Sequence, residues 1–142
     1  MAIAKITDAD WSRLNSAAAI VFGAPTYMGS VAAGFKAFMD ASGDLWDDQL
    51  WADKIAAGFT VATYPSGDKL VSLTQLAVFA AQHGMIWVGH DAIGAPVRPD
   101  EKGINDAGFN LGLAATSSRD KTLLIGPGDA ETARRFGARI AA

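Results

Sequence analysis

The sequence contains no cysteine, which excludes disulfides, thiolate metal sites and cysteine nucleophiles. It has two histidines, His83 and His90, and neither stands near a cluster of Asp or Glu, so no metal site is expected. Charge is sparse and nearly balanced: 12 basic residues face 15 acidic ones, for a net charge of −3. No basic run or aromatic–basic stripe is present, so no nucleic-acid partner is expected. No run of 18 apolar residues occurs, so no membrane span is expected. The opening Met1–Asp8 is too short and too soon polar for a signal peptide, and the expected compartment is the cytoplasm. There is no internal repeat and no low-complexity tract. Ser30, Thr63 and Ser66 have no base at a recognisable spacing, so hydrolase chemistry has no support.

What the chain does have is apolar material. Half of its 142 residues are hydrophobic, enough for one packed domain over 1–142. Residues 17–24 form a continuous apolar run stopped by Pro25, which reads as a strand buried on both faces. Ser30 is placed to cap a helix whose one face carries Val31, Phe35, Phe38 and Met39, ended by Ser42-Gly43. Ile55–Ala62 is a second apolar run, followed by the loop 63–68. Leu70–Ala81 reads as a helix apolar nearly all round, hence buried on more than one side. Met85–Val88 is a short strand. Residues 89–127 are punctuated by Gly and Pro, with a strand expected at Leu123–Ile125. Asp129 is expected to cap a last helix that buries Ala133, Phe136 and Ile140 and pairs Glu131 with Arg135. Before it, Asp8 is expected to cap a short turn through Trp11 and Leu14.

Strands and helices alternating in this way imply a doubly wound parallel sheet, a three-layer α/β/α sandwich. Ligands of such sheets bind beyond the carboxyl ends of the strands, which selects two loops. The first is Pro25, Thr26, Tyr27, Met28 and Gly29, where Tyr27 offers a flat ring and Met28 a soft apolar surface to a planar ligand. The second is Thr63, Tyr64, Pro65, Ser66 and Gly67. Spacing alone favours ordinary connections in both places. For His83 it favours a hydrogen-bonded group at a helix end, and for Trp46 and Trp51 core anchors.

The residues themselves carry a more specific resemblance. Ile20-Val21-Phe22-Gly23-Ala24-Pro25-Thr26-Tyr27-Met28-Gly29, Phe35-Lys36-Ala37-Phe38-Met39-Asp40, Gly43-Asp44-Leu45-Trp46, Lys54-Ile55-Ala56-Ala57-Gly58-Phe59 and His83-Gly84-Met85-Ile86-Trp87-Val88-Gly89 resemble the NAD(P)H:quinone oxidoreductases related to tryptophan-repressor-binding protein. The resemblance spans about residues 17–89, and more weakly the last helix. It implies a flavodoxin-like fold with strand order 2-1-3-4-5, FMN as cofactor, NAD(P)H as hydride donor, a quinone as acceptor and a homodimer or homotetramer. It further implies that Pro25–Gly29 line the isoalloxazine and ribityl chain, that Thr63–Gly67 flank the ring on the other side, that His83 approaches the flavin or its neighbouring chain, and that Trp46 walls the nicotinamide and quinone pocket.

The family pattern begins with a strand, a phosphate loop, a helix and a second strand. Here run 17–24 matches the third strand, and no Ser-x-Thr-Gly-like loop precedes it. The expectation is therefore a domain short of its first two strands, with a weakened phosphate site and run 17–24 exposed as a sheet edge. Three readings stay open: a flavoprotein reductase, a cofactor-free or weakly FMN-binding assembly module, and a fragment of a longer flavoprotein.

Overall fold

A computed structural model describes residues 6–120 and 122–142; most of the segment read above as unlike a signal peptide lies outside them. The first element, α1 (Asp8–Ser16), is started by Thr7 rather than Asp8. Thr7 and Asp10 satisfy each other's backbone amides, Asp10 N to Thr7 Oγ1 at 3.3 Å and Thr7 N to Asp10 Oδ2 at 3.0 Å. A β-hydroxyl one position before the first turn reaches the N3 amide, which Asp8, already inside the helix, does not.

Strand β1 (Ala19–Gly23) leads into a two-residue hairpin of β2 (Thr26–Tyr27) and β3 (Ser30–Val31). The turn residues Met28 and Gly29 both have positive φ, 49° and 74°, the geometry of a tight hairpin whose twist matches its strands. Ser30 thus lies in a strand and does not cap the next helix, α2 (Ala33–Ala41), which starts at Ala32 without a side-chain cap. The hairpin is held elsewhere: Gln75 Oε1 accepts from Val31 N at 3.0 Å and from Ser30 Oγ at 3.2 Å.

A short α3 (Gly43–Asp47) precedes the long central strand β4 (Ile55–Ala62), followed by α4 (Lys69–Gln82), β5 (Ile86–Trp87), β6 (Leu113–Thr116) and α5 (Pro127–Ala141). All partners of β4 run parallel to it. On one side β1 pairs from Ala19↔Ile55 to Gly23↔Phe59. On the other side β5 takes the first half and β6 the second, from Phe59↔Leu113 to Ala62↔Thr116. The expected strand at Leu123–Ile125 is loop. The run Leu-Ala-Ala-Thr, weaker in hydropathy, takes its place, because only there does the chain return to the unpaired half of β4.

Side chains alternate across the sheet. One face sends Ile20, Phe22 and Ala56 against Leu76 and Phe79 of α4, with Trp51, Phe35 and Phe38 completing the cluster. Phe22 and Phe79 meet edge to face at 5.2 Å, and Trp11 stacks on Phe38 at 5.5 Å. Such pairs add roughly 0.5–1.5 kcal/mol each beyond area burial. Gly58 lets α4 come close, since a methyl there would meet Trp87 at 2.7 Å and Leu76 at 3.0 Å. The opposite face packs Ala57 and Leu113 against Phe136, Ala133 and Ile140 of α5.

Two burial expectations are corrected. Run 17–24 is buried on one face only: Ile20 and Phe22 are covered, while Val21 is 46% exposed, because α5 does not extend over β1. Helix α4 buries one stripe, Ser72, Leu73, Leu76, Phe79 and Ala80, and leaves Leu70, Val71 and Val78 exposed. Asp129 is likewise inside α5 rather than at its cap, which is Gly126. Its Oδ2 accepts from Thr116 N at 2.8 Å and ties α5 to the end of β6. The Glu131–Arg135 pair forms, at 3.0 Å.

Candidate functional site

Because the strands are parallel, the loops after β1, β4 and β6 open on one edge of the sheet. There Pro25, Thr26 and Tyr27 meet Thr63, Tyr64 and Gly67 around one trough of about 1020 Å³. Both tyrosine rings are exposed at its mouth. From the mouth the trough runs down the sheet face between β1 and α5, over Val21, Phe59 and Val61 on one side and Phe136 and Ile140 on the other. The loop after β6 closes it with Ser117, Ser118, Arg119, Leu124 and Ile125.

The floor of the mouth is rigid. The Thr26 hydroxyl is buried and donates to Ser72 Oγ at 2.8 Å, with Thr60 Oγ1 2.7 Å away. This hydroxyl chain joins β2, β4 and α4, so Thr26 offers a ligand its backbone and methyl group rather than its oxygen. Beneath the second loop Lys69 is fully buried, its Nζ donating to Ala115 O and Thr116 Oγ1, both at 2.9 Å. Burial pulls its pKa below the usual lysine range, with Asp129 opposing. The ammonium therefore staples the start of α4 to the end of β6 and turns away from the mouth.

The other expected site residues stand apart. Met28 and Gly29 form the tip of the hairpin, with Met28 fully exposed, and Pro65 and Ser66 are exposed on the outer side of their loop. None of the four lines the trough. His83 ends α4 at the opposite edge of the sheet, 2% exposed between Trp51 at 4.5 Å and Phe79 at 4.9 Å. Ser42 Oγ donates to Met39 O, so His83 Nε2 donates to Ser42 Oγ across 2.9 Å. That leaves Nδ1 as a buried acceptor with no partner among the described residues. Burial lowers the His83 pKa, which keeps the ring neutral. Trp46 on α3 lies at that same far edge: its carbonyl accepts from Gln49, whose amide also reaches Gln82 O at the end of α4. A single chain thus does not bring His83 or Trp46 to the crevice. Composition had pointed to the loops, and it left out the apolar wall of Phe59, Leu124, Ile125 and Phe136, as well as Arg119. Exposure alternates along β1, where Val21 and Gly23 stand open, but not along β4, where Phe59 follows three buried residues, and the unbroken apolar runs around both conceal it.

His90, the second histidine, is also buried. It stacks on Phe136 at 5.0 Å and accepts at Nδ1 from Ala92 N at 3.0 Å. Its pKa is lowered by burial first, with Asp91 opposing. No imidazole faces the trough, so among the described residues its lining carries no group suited to proton transfer near neutral pH.

The flavin implied by the sequence can be tested against this geometry. An apolar slot flanked by two aromatic rings fits a planar ring system. A phosphate fares less well. Among the described residues the trough lining holds one cation, Arg119, with the hydroxyls of Ser117 and Ser118. The start of α4 brings Asp68 to the same edge, and its carboxylate opposes an anion that the helix dipole would otherwise favour. The ring fits, and the phosphate is short of donors among the described residues.

Comparison with known proteins bears on the same cofactor. Residues 7–97 match the family described as NADPH-dependent FMN reductase. The flavodoxin FldP of Pseudomonas aeruginosa is 41% identical over 138 residues, 96% of this chain and 75% of that protein. An NAD(P)H dehydrogenase (quinone) of Archaeoglobus fulgidus is 32% identical over 87% of this chain and 57% of its own length. The crystal structure of a flavodoxin, WrbA-like protein from Agrobacterium tumefaciens superposes with a TM-score of 0.76 at 35% identity, covering 99% of this chain and 74% of that one. The fold is accordingly flavodoxin-like.

Proposed function

We propose, from the premise that the chain belongs to the NADPH-dependent FMN reductase family, that it is the body of an FMN-dependent NAD(P)H:quinone oxidoreductase. The observation that carries the reading is the single trough mouth shared by Pro25, Thr26 and Tyr27 with Thr63, Tyr64 and Gly67 at the carboxyl edge of the sheet. FMN, when bound, supplies the hydride-accepting and hydride-donating ring. The chain's part is to position it. Tyr27 and Tyr64 flank the ring, the backbone of Pro25, Thr26, Thr63 and Gly67 borders its edge, and the apolar wall keeps water out. The Thr26–Thr60–Ser72 chain and Lys69 hold both loops still. No side-chain acid or base is assigned, and His83 is given a structural part.

The working form is a homodimer or homotetramer. The exposed Leu70, Val71 and Val78 stripe on α4 supports this, as contiguous exposed apolar surface marks interfaces. Trp46 acts at the acceptor only in such an assembly, brought to the crevice by a neighbouring copy. The cytoplasm is the proposed compartment; among the described residues no helix is long and apolar enough to cross a membrane.

Titration of the purified protein with FMN, followed by flavin fluorescence, tests the reading, paired with NADH or NADPH oxidation in the presence of benzoquinone. Saturable but weak quenching is expected, because the phosphate is underserved. A sub-micromolar dissociation constant would show that other groups hold the phosphate. Absence of any saturable binding would leave the cofactor-free assembly module, which the shortage of phosphate donors favours.

A further inference from the structure

Helix α5 has two flanks of opposite character. Ala133, Phe136, Gly137 and Ile140 line the trough, whereas Arg134, Arg135, Ala138 and Arg139 line a separate groove. At about 100° per residue these two sets lie on opposite sides of the helix. The groove, about 380 Å³, is walled on its other side by Asp91, Ile93 and Arg98 from the loop that follows β5. Its volume suits a small organic ligand. That wall is fixed. Ala92 N donates to His90 Nδ1 at 3.0 Å, and Ala92 O accepts from Asn105 Nδ2 at 3.1 Å. Asn105 N in turn donates to Thr132 Oγ1 of α5 at 2.9 Å. Arg98 N closes a turn onto Gly94 O at 2.9 Å, and Gly94 packs so close to the Ile104 carbonyl that no side chain fits there.

Four guanidiniums meet three carboxylates here, Asp91, Glu101 and Glu131, a local surplus of one positive charge in a chain whose net charge is −3. The carboxylates orient the arginine forks without filling them. Glu131 accepts from Nε and Nη2 of Arg134 and from Nε of Arg135. Glu101 takes Arg135 Nη1 at 2.8 Å. Arg139 gives Nε to Gly89 O at 3.0 Å and Nη1 to Asp91 Oδ2 at 3.2 Å. Each of these three arginines therefore keeps one Nη with no hydrogen-bond partner among the described residues. Arg98 forms no ion pair among them. The Arg139–Asp91 pair is itself weak, because its side chains are 46% and 59% exposed.

We propose that this groove is a second binding site, for a diphosphate-bearing small molecule. Guanidinium forks match phosphate oxygens in geometry and hold them by charge-assisted hydrogen bonds. Arg135 and Arg139 stand about one turn apart, about 6 Å along the axis, a span that two linked phosphates fill and one does not. Arg98 meets the anion from the facing wall. Asp91 is the resident counter-ion of Arg139, and the incoming anion, of higher charge, displaces it from Nη1. Ile93 and Ala138 offer an apolar patch to the organic part of the ligand. Because α5 stands between groove and trough, the site is independent of the flavin reading.

Pyrophosphate is the probe, titrated into the whole protein by calorimetry at low ionic strength. Saturable one-to-one binding is expected, weakened by added salt and tighter than that of inorganic phosphate. Arg98→Ala should weaken it at least about tenfold, the loss expected for a charge-assisted hydrogen bond. The circular dichroism of that variant should be unchanged, since the Arg98 side chain holds no ion pair in the fold. Asp91→Asn should tighten binding by removing the competing carboxylate. Arg13→Ala on α1 and Arg119→Ala in the trough should change nothing. Absence of saturable binding overturns the proposal, as does binding indifferent to Arg98→Ala or weakened by Asp91→Asn. Equal affinity for inorganic phosphate overturns the diphosphate assignment. Loss of binding in Arg119→Ala puts the anion in the trough, and equal loss in Arg13→Ala reduces the effect to general charge screening; either sinks the groove as a site.

Discussion

At the scale of single residues, the two connector tryptophans separate core from surface. Trp51 is fully buried and touches the rings of Trp11, Phe22, Phe38 and His83. Trp51→Ala is expected to cost about 3–5 kcal/mol, enough to unfold much of the population in a urea titration. Trp46 is half exposed, so Trp46→Ala should move the melting temperature by no more than a few degrees while lowering benzoquinone reduction by the assembled protein. Unfolding of the Trp46 variant would assign that ring to the core. The histidines predict an acid limb. Burial lowers both His83 and His90 below 6.5, so below pH 6.5 the unfolded chain binds more protons than the folded one. Stability then falls as pH drops through 6.5 towards the depressed folded values, and the contribution is complete above it. The urea midpoint should therefore decrease from pH 7.5 to pH 5.5, and by less in His90→Phe, which keeps the stacking on Phe136 and removes one titrating ring.

At the scale of elements, the hairpin β2–β3 shows where residue type and backbone disagree. Met28 is held at φ 49°, a left-handed conformation that costs a branched or long side chain about 1–2 kcal/mol and suits Asn far better. Met28→Asn is expected to raise stability by about 1 kcal/mol, read as a higher urea midpoint. If the midpoint falls instead, the Met28 side chain contributes packing, against its full exposure. Reading Ser30 as a cap was reasonable from its type and position, but a two-residue turn needs strand on both sides, and Gln75 of α4 already provides the acceptor that fixes Ser30 and Val31 in place. The displaced strand has a similar cause. Leu123–Ile125 is the more hydrophobic run, yet β-structure is selected by an available partner, and the unpaired half of β4 faces Leu113–Thr116.

At the scale of the whole molecule, three apolar surfaces remain: the outer stripe of α4, the β1 edge and the trough. The α4 stripe is separable from the other two. Val78→Asp places a charge on that stripe alone and should reduce the molar mass seen by light scattering with little change in melting temperature. If Val78→Asp leaves the mass unaltered, the copies meet elsewhere or not at all. The two-sided sheet also explains why the crevice is preorganised. Strand β4 is anchored from one face by Thr60 through Thr26 and Ser72, and β6 is pinned by Lys69 and Asp129. Both loops of the mouth therefore hang from fixed strand ends.

Periodicity and residue type alone determined the parallel α/β architecture, β4 from Ile55 to Ala62, α4 to within a residue at each end, and the two loops that share the crevice. These are local properties, because an unbroken apolar run, a 3.6-residue repeat and a Gly or Pro break act over a few residues. The absence of cysteine and of long apolar stretches bounded the chemistry in the same local way. Only the tertiary structure decided that His83 and Trp46 stand at the far edge of the sheet, since the length and direction of α2 and α4 carry them there. It also decided that Val21 and Phe59 face an open trough, because burial of a strand face depends on how many helices lie across it, and that number is a property of the packed layers rather than of the strand.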